Sequence, residues 1–335
     1  MRPYAVVAAC LLFARGASAG PETALREFAS SQIKKGVRAL GMGGDGATIG
    51  NYSLVYRDAG GAVADYGITS FSDTGNAVHF LAVGLTTPHF WNGSAIYLIA
   101  MDEWGSGLAL HLDSPQFSSG ANFRGEASDQ AIFAKFAKPL PYGFAIGGLF
   151  GWERSALSAI ETQGNGALSY NTTYLPSGGI GATYEWKWLL AGVRALLSND
   201  IETRRDAIST SRGWLASWEF RTGLAVRPFE GTTIDLGFVG LWRNSEIDHK
   251  QAFTPAVVAG IEQRVWRDYL TVRAGWNESS PTAGISAHWR FLKLDAAYVY
   301  NLGIDRSNGV FGHTDNAVLF TLNYDYSQMV QSAKP

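Results

Sequence analysis

An all-β fold, a transmembrane antiparallel up-and-down β-barrel of about fourteen strands, is predicted by three observations on this chain. Charged residues make up only 17% of the 335 residues, while aromatic residues reach 13% and glycines number 39. An ordinary soluble domain carries roughly 25% charge and about 7% glycine. From about residue 76 to 327, apolar and polar residues alternate with period two, the signature of strands whose faces differ. Finally, no run of about 18 apolar residues marks a spanning helix.

The first element is a leader. In MRPYAVVAACLLFARGASAG, Arg2 precedes an apolar run from Ala5 to Phe13, and Ala17-Ser18-Ala19 supplies a small-residue cleavage site. Residues 1–19 read as an export signal. The run is too short to anchor a chain, since spanning takes about 20 apolar residues. Too little apolar sequence precedes Cys10 for a lipoprotein box. Cys10 is the single cysteine, so the exported protein has no disulfide, thiolate metal site or cysteine nucleophile. The net charge of −2 gives no electrostatic case for nucleic acid.

Residues 20–75 form the next unit. ETALREFASSQIK, residues 22–34, is a short helical stretch, and a glycine-rich segment occupies 36–50. Residues 62–71, AVADYGITSF, read either as an extra strand or as part of this insert.

The barrel itself is assigned to 76–327. In GWLASWEFRTGLAVRP, Trp214, Ala216, Trp218, Phe220, Thr222, Leu224 and Val226 share one face. Glu219, Arg221 and Arg227 lie on the other. The same division places Ile234, Leu236 and Phe238 opposite Asp235, and Leu270, Val272 and Trp276 opposite Arg273. It likewise places Leu292, Leu294 and Tyr298 opposite Lys293 and Asp295, and Phe144, Ile146, Phe150 and Trp152 opposite Glu153. Apolar rows ending in aromatic residues are expected of lipid-facing strands between two interfacial girdles. A soluble β-sandwich would carry more charge on its outer face.

Short links at 138–141, 186–187, 227–231, 267–268 and 290–291 alternate with longer polar links at 155–176, 199–213, 243–253 and 302–315. Short turns on one rim and long loops on the other are the habit of outer-membrane barrels, the short ones being periplasmic. Residues 328–335 remain as a polar periplasmic tail after Tyr326.

The glycine segment RALGMGGDGATIG contains Gly41-x-Gly43-x-x-Gly46, the spacing of a dinucleotide-binding turn. That turn must leave a buried strand and open a helix. Lys34 to Leu40 is too short and basic to be the strand, and Ala47 to Asn51 opens no helix. No cofactor is implied.

GVRALGMGGDGATIG, followed by NYSLVYRDAGGAV, instead resembles the N-terminal signature of the FadL-like outer-membrane proteins, including their PorV-like branch. Arg38, Leu40, Gly41, Met42, Gly43 and Gly44 match its first part, and Tyr56-Arg57-Asp58-Ala59-Gly60 matches its second, with Arg57-Asp58 in place of Asn-Pro. The resemblance implies a plug made by Arg38, Leu40, Gly41, Met42, Gly43, Gly44 and Gly46, tucked inside a barrel typically of fourteen strands.

Glu153, Arg194, Glu219, Arg221, Asp235 and Arg273 are assigned to the lumen. Both signs are mixed, so they are expected to pair across the lumen or with the plug, because a desolvated charge needs a partner. This favours a plugged barrel over an open pore. The first strands are apolar on both faces. If Val78 and Phe80 face lipid, then Leu81, Val83 and Leu85 face inward, either as a pocket for a hydrophobic ligand or as packing against the plug.

The six histidines lack metal-ligand spacing, and no hydrolase motif occurs, so neither a metal nor a catalytic residue is assigned. The expected partners are outer-membrane lipid and a hydrophobic small molecule. The leading functional reading is uptake or passage of fatty-acid-like hydrophobic molecules through the outer membrane, not catalysis. The alternative is a PorV-like scaffold or shuttle for secreted or surface proteins.

Overall fold

The computed structural model describes residues 42, 47–48, 51–57, 61–72 and 75–325, apart from the connections 91–93, 113–120, 164–166, 175–176, 206–209, 247–249, 267–268, 278–279, 290–291 and 303–314. The leader, residues 20–41, Tyr326 and the tail lie outside the described residues.

Almost everything described is strand. The first segments are β1 (Gly61–Phe71), β2 (Ala77–Phe90), β3 (Ser94–Leu112), β4 (Ala121–Pro139) and β5 (Phe144–Glu161). There follow β6 (Ala167–Tyr174), β7 (Ser177–Trp186), β8 (Leu189–Arg205), β9 (Thr210–Val226) and β10 (Thr232–Ser245). The series ends with β11 (Lys250–Trp266), β12 (Leu270–Asn277), β13 (Ser280–Trp289), β14 (Leu292–Leu302) and β15 (Asp315–Asp325).

Each segment pairs antiparallel with its neighbours in one sheet. β1 pairs with β15, Val63 opposite Asp325, and β4 pairs with β5, so the sheet closes on itself. β6 and β7 both lie between β5 and β8 and are two parts of one stave. The fifteen segments therefore make a closed barrel of fourteen staves. Closure removes the unpaired edges that lipid does not tolerate. Within the split stave, Thr173 faces Arg154 and Ser177 faces Gly151, so β6–β7 carries one residue more than β5 at the break. That is the count of a β-bulge.

The wall starts at Gly61, not at residue 76. β1 is a full stave, hydrogen-bonded to β2 and β15 along its length. Long polar links assigned from sequence are also largely strand. β5 continues to Glu161 and β6 begins at Ala167, β8 reaches Arg205 before β9 begins at Thr210, and β10 reaches Ser245 before β11 begins at Lys250.

The reason is the height of the wall. β3 and β4 have 19 residues each, whereas crossing the hydrocarbon takes about 9–11. On β4 the outward row Ile132 and Phe136 gives way to exposed Gln130, Ser128, Glu126 and Arg124. These strands leave the membrane and stay paired in water. β12 has only 8 residues and β13 only 10, so the barrel is tall on one side and low on the other.

The outer face is apolar at membrane height. On β9, Trp218, Phe220 and Leu224 are half exposed, while Arg221 and Ala225 are buried inside. Aromatic side chains gather at the rim where β1 begins and β15 ends. Phe144 lies 4.7 Å from Tyr184, Trp186 lies 6.2 Å from Trp188, and Trp266 lies 6.0 Å from Tyr269, ring centre to ring centre. That rim has the tight turns, among them Pro141–Gly143, where Gly143 takes φ 82°. By the habit of such barrels it is the periplasmic rim.

Inside, Met42, Ala47, Thr48, Asn51, Ser53 and Val55 are buried against the wall. Their seat is a hoop of inward-facing glycines made by strand register. Gly147 stands opposite Gly181, Gly192 opposite Gly223, Gly223 opposite Gly237, and Gly260 opposite Gly275. A Cβ on Gly260 would overlap the Met42 carbonyl, and one on Gly192 would overlap that of Ala47. A Cβ on Gly147 would come within 2.6 Å of the Ser53 nitrogen. Only glycine lets one backbone approach another this closely. The 3-10 helix Tyr52–Arg57 continues from the hoop, with Tyr52 against Phe133 and Leu149 and Val55 against Ala95 and Ala137.

Candidate functional site

The interior divides into two sectors that differ most toward the outer rim. On β8–β14 it is ionic. Arg273, on β12, donates from Nε to Glu262 on β11 at 2.7 Å and from Nη1 to Ser286 on β13 at 2.6 Å. It also lies 3.5 Å from Asp295 on β14, which Lys293 approaches to 2.7 Å and Ser286 hydrogen-bonds. A second group sits on β8 and β9, where Glu219 accepts from Arg221 at 2.6 Å and from Arg194 at 3.4 Å. The Arg194 guanidinium lies 5.5 Å from the Tyr52 ring, and Thr48 donates to Asp235 on β10.

The sequence-assigned lumen residues Glu153, Arg194, Arg221, Asp235 and Arg273 are all buried on the inner face, as is most of Glu219. The ion pairs described run along the wall, between side chains on the same stave or on staves one or two apart, and not across the lumen. The reason is reach: side chains on one face of adjacent strands stand about 5 Å apart. The N-terminal segment meets this sector through Thr48–Asp235 and Arg194–Tyr52.

The other sector is apolar toward the outer rim, while Glu103 of β3, Asp129 of β4 and Glu153 of β5 are buried on its inner face nearer mid-height. Phe71 and Thr69 of β1, Val78, Phe80 and Ala82 of β2, Leu108 of β3, Phe123 of β4 and Leu157 of β5 are buried on the inner face. With Val299 on β14 and Leu319 on β15, Phe71, Phe80, Leu108, Phe123 and Leu157 belong to one continuous hydrophobic cluster. Nearly all of these residues stand near the far ends of β1, β3, β5 and β14 and the near ends of β2, β4 and β15. They therefore form a collar toward the outer rim, opposite the tight turns. The sheet that rises above the membrane is polar outside, at Arg124 and Glu126, and apolar inside, at Phe123 and Leu157.

This reverses the pocket assigned to Leu81, Val83 and Leu85. All three point outward, exposed by 42%, 51% and 59%, while Val78 and Phe80 point inward. Register decides it: Leu81 lies opposite Tyr66 of β1, and Leu85 lies opposite Leu98 of β3, both on the outer face. The collar residues of β3, β4 and β5 were missed. Phe123-Arg124-Gly125-Glu126 held the available signal, an apolar row whose intervening polar row belongs in water and not in lipid. Of the plug residues, Met42 is buried against Gly260, whereas Arg38, Leu40, Gly41, Gly43, Gly44 and Gly46 lie outside the described residues. Among the described residues, no group of three or more His, Cys, Asp or Glu side chains is placed to hold a metal.

No protein-family model matches the sequence, and no curated protein matches it. Solved structures do match. The Pseudomonas putida toluene transporter TodX superposes with a TM-score of 0.54 at 11% identity, over 86% of this chain and 96% of its own. The Ralstonia pickettii toluene transporter TbuX gives 0.53 at 12% identity, over 85% and 96%. A TodX deltaS2S3 mutant, described as a monoaromatic hydrocarbon channel, gives 0.56 at 10% identity, over 86% and 98%.

The fold is that of a FadL-like outer-membrane barrel. In this FadL-like barrel the girdles, the tall outer wall and the closed sheet suit the outer membrane, with lipid against the outward row.

Proposed function

We propose that this barrel passes hydrophobic small molecules across the bacterial outer membrane, after export directed by residues 1–19. The single observation that carries the reading is the apolar collar. Water-filled barrels keep a polar interior, yet here Phe71, Phe80, Leu108, Phe123 and Leu157 cluster on the inner face toward the outer rim. These side chains are buried against one another, so an acyl chain or an aromatic ring entering here would exchange one apolar neighbour for another instead of stripping a polar group of its partner. Structures of toluene transporters share the fold, which supports cargo of this class. Fatty-acid-like molecules and monoaromatic hydrocarbons both fit an apolar collar without a demand for a charged head. The N-terminal unit acts as the plug that denies water and polar solutes a continuous path. The role is passage, and the residues that carry it bind and exclude without reacting.

The test is uptake of radiolabelled toluene and of a long-chain fatty acid by cells that lack their own hydrophobic-compound channels. The barrel should raise entry of at least one of them severalfold over an empty vector. Phe80→Asp and Phe123→Asp, each shown to be folded by a heat-dependent shift on gel electrophoresis, should remove most of the gain. Uptake equal to the empty vector for both compounds would end the proposal.

A further inference from the structure

Resting on that reading, we infer that Asn277 recognises a hydroxyl group at the outer mouth, and that the cargo is an amphiphile carrying one neutral hydroxyl on an apolar body, such as an alkylphenol or an alkanol. Three observations meet at this side chain. First, Asn277 ends β12 on its inner face, in line with Arg273 and Gly275, and is only 2% exposed. Second, its buried Oδ1 accepts no hydrogen bond among the described residues. Its neighbours across the two ladders are Val258 on β11 and Ser280 on β13, both buried. Ser280 and Thr282 have interactions of their own, so the want of a donor is particular to Asn277.

Third, the collar leads to it. Phe71 on β1, Ala317 on β15, Val299 on β14, Thr282 on β13 and Gly275 on β12 stand opposite one another in turn, as one inward row. Asn277 is the next inward residue of β12 beyond that row, toward the outer rim. Phe71, Ala317 and Val299 are fully buried members of the hydrophobic cluster. With neighbouring strands about 4.8 Å apart, the amide stands roughly 10 Å along the wall from Val299.

The consequence is a preference among hydrophobic molecules. A buried acceptor without a donor costs free energy, and such a group calls for an explanation. Hydrocarbon cargo leaves that cost where it is. Cargo that brings a hydroxyl removes it, and is favoured severalfold over a hydrocarbon of the same shape. The spacing sets the shape: the hydroxyl meets the amide while an alkyl or aryl body about 10 Å long lies past Thr282 toward Val299 and Phe71. Toluene fits the collar and leaves the amide unmet.

The test compares radiolabelled 4-hexylphenol with hexylbenzene, which differ by one hydroxyl, in cells that lack general porins and their own hydrophobic-compound channels. Each is scored as the gain in uptake over an empty vector. Asn277→Leu, close in size but without the amide, should cut the 4-hexylphenol gain severalfold and leave the hexylbenzene gain within about twofold. Asn277→Ala should do the same, so the result does not hang on how one variant packs. Both should keep the heat-dependent gel shift of the parent, since an amide without a partner holds nothing together.

An unchanged 4-hexylphenol gain in both variants would overturn the inference, and an ordered water would then be the ordinary partner of the amide. An equal fall for the two compounds, or loss of the gel shift in both variants, would overturn it too, because Asn277 would then serve the wall and not the hydroxyl. Failure of the functional reading looks different: the parent barrel would give no gain for either compound.

Discussion

Arg273 shows what a single side chain costs inside this barrel. It is buried, and its guanidinium serves Glu262, Ser286 and Asp295 on three neighbouring staves. Removing one member of a buried ion pair leaves the others desolvated and uncompensated, at about 3–5 kcal/mol. Arg273→Met is therefore expected to lower the unfolding free energy by about that much, measured by reversible denaturant unfolding in lipid vesicles. Adding Glu262→Met and Asp295→Leu should recover part of the loss, since the stranded carboxylates are then gone. A change below about 1 kcal/mol for the single variant would mean that the pairs are hydrated. On the lipid side the rule inverts. Phe220 sits midway along the outward row of β9 and is half exposed. Phe220→Arg should cost about 2–4 kcal/mol in the same assay. At this scale the sequence was legible wherever one face carried charge, as at Arg221 and Asp235. It was illegible at Phe80 and Leu81, because β2 is apolar on both faces and alternation without contrast has no sign.

At the scale of the element, length separates this chain from a minimal barrel. β3, β4 and β5 run 19, 19 and 18 residues, and at about 3.3 Å per residue they are roughly 60 Å long. Where a strand stands in water its outward row loses the lipid-facing residues, so Ser155 to Glu161 and Asn199 to Arg205 lack the contrast of the membrane rows and read as connections. The period continued through them. Gly107 marks a bulge on β3, between Gly105 opposite Ala127 and Leu108 opposite Gly125, and takes φ 65° there. A bulge shifts every later side chain by one position, and no single-strand pattern reveals it. The emergent part of β4 gives a prediction. A cysteine at Glu126 should react with a membrane-impermeant maleimide added to intact cells, whereas a cysteine at Ile132, three pairs lower on the same face, should not. Equal labelling at both positions would place the membrane boundary elsewhere.

The whole molecule is a closed sheet with a lining, and its two halves divide the work. The β8–β14 interior holds the ion pairs, the β14–β5 interior presents the apolar collar toward the outer rim, and the N-terminal stretch is seated against both. Barrel class was legible because lipid imposes a contrast on most outward rows, whereas the count of about fourteen is reached only with β1 as a stave and β6 and β7 joined into one. The glycine hoop was not legible, because Gly147, Gly181, Gly192, Gly223 and Gly260 lie far apart in sequence and meet only through register. Every conclusion above depends on which alternate residues of the wall face hydrocarbon. Spin labels placed singly at positions 214–226 of β9 test this most directly, in the protein reconstituted in lipid and read by power saturation. Labels at Ala216, Phe220 and Thr222 should be relaxed strongly by oxygen and weakly by a water-soluble nickel chelate, and those at Ser217 and Gly223 should lack that oxygen response. Flat accessibility along β9, or an oxygen maximum on the Ser217 and Gly223 row, would contradict the account.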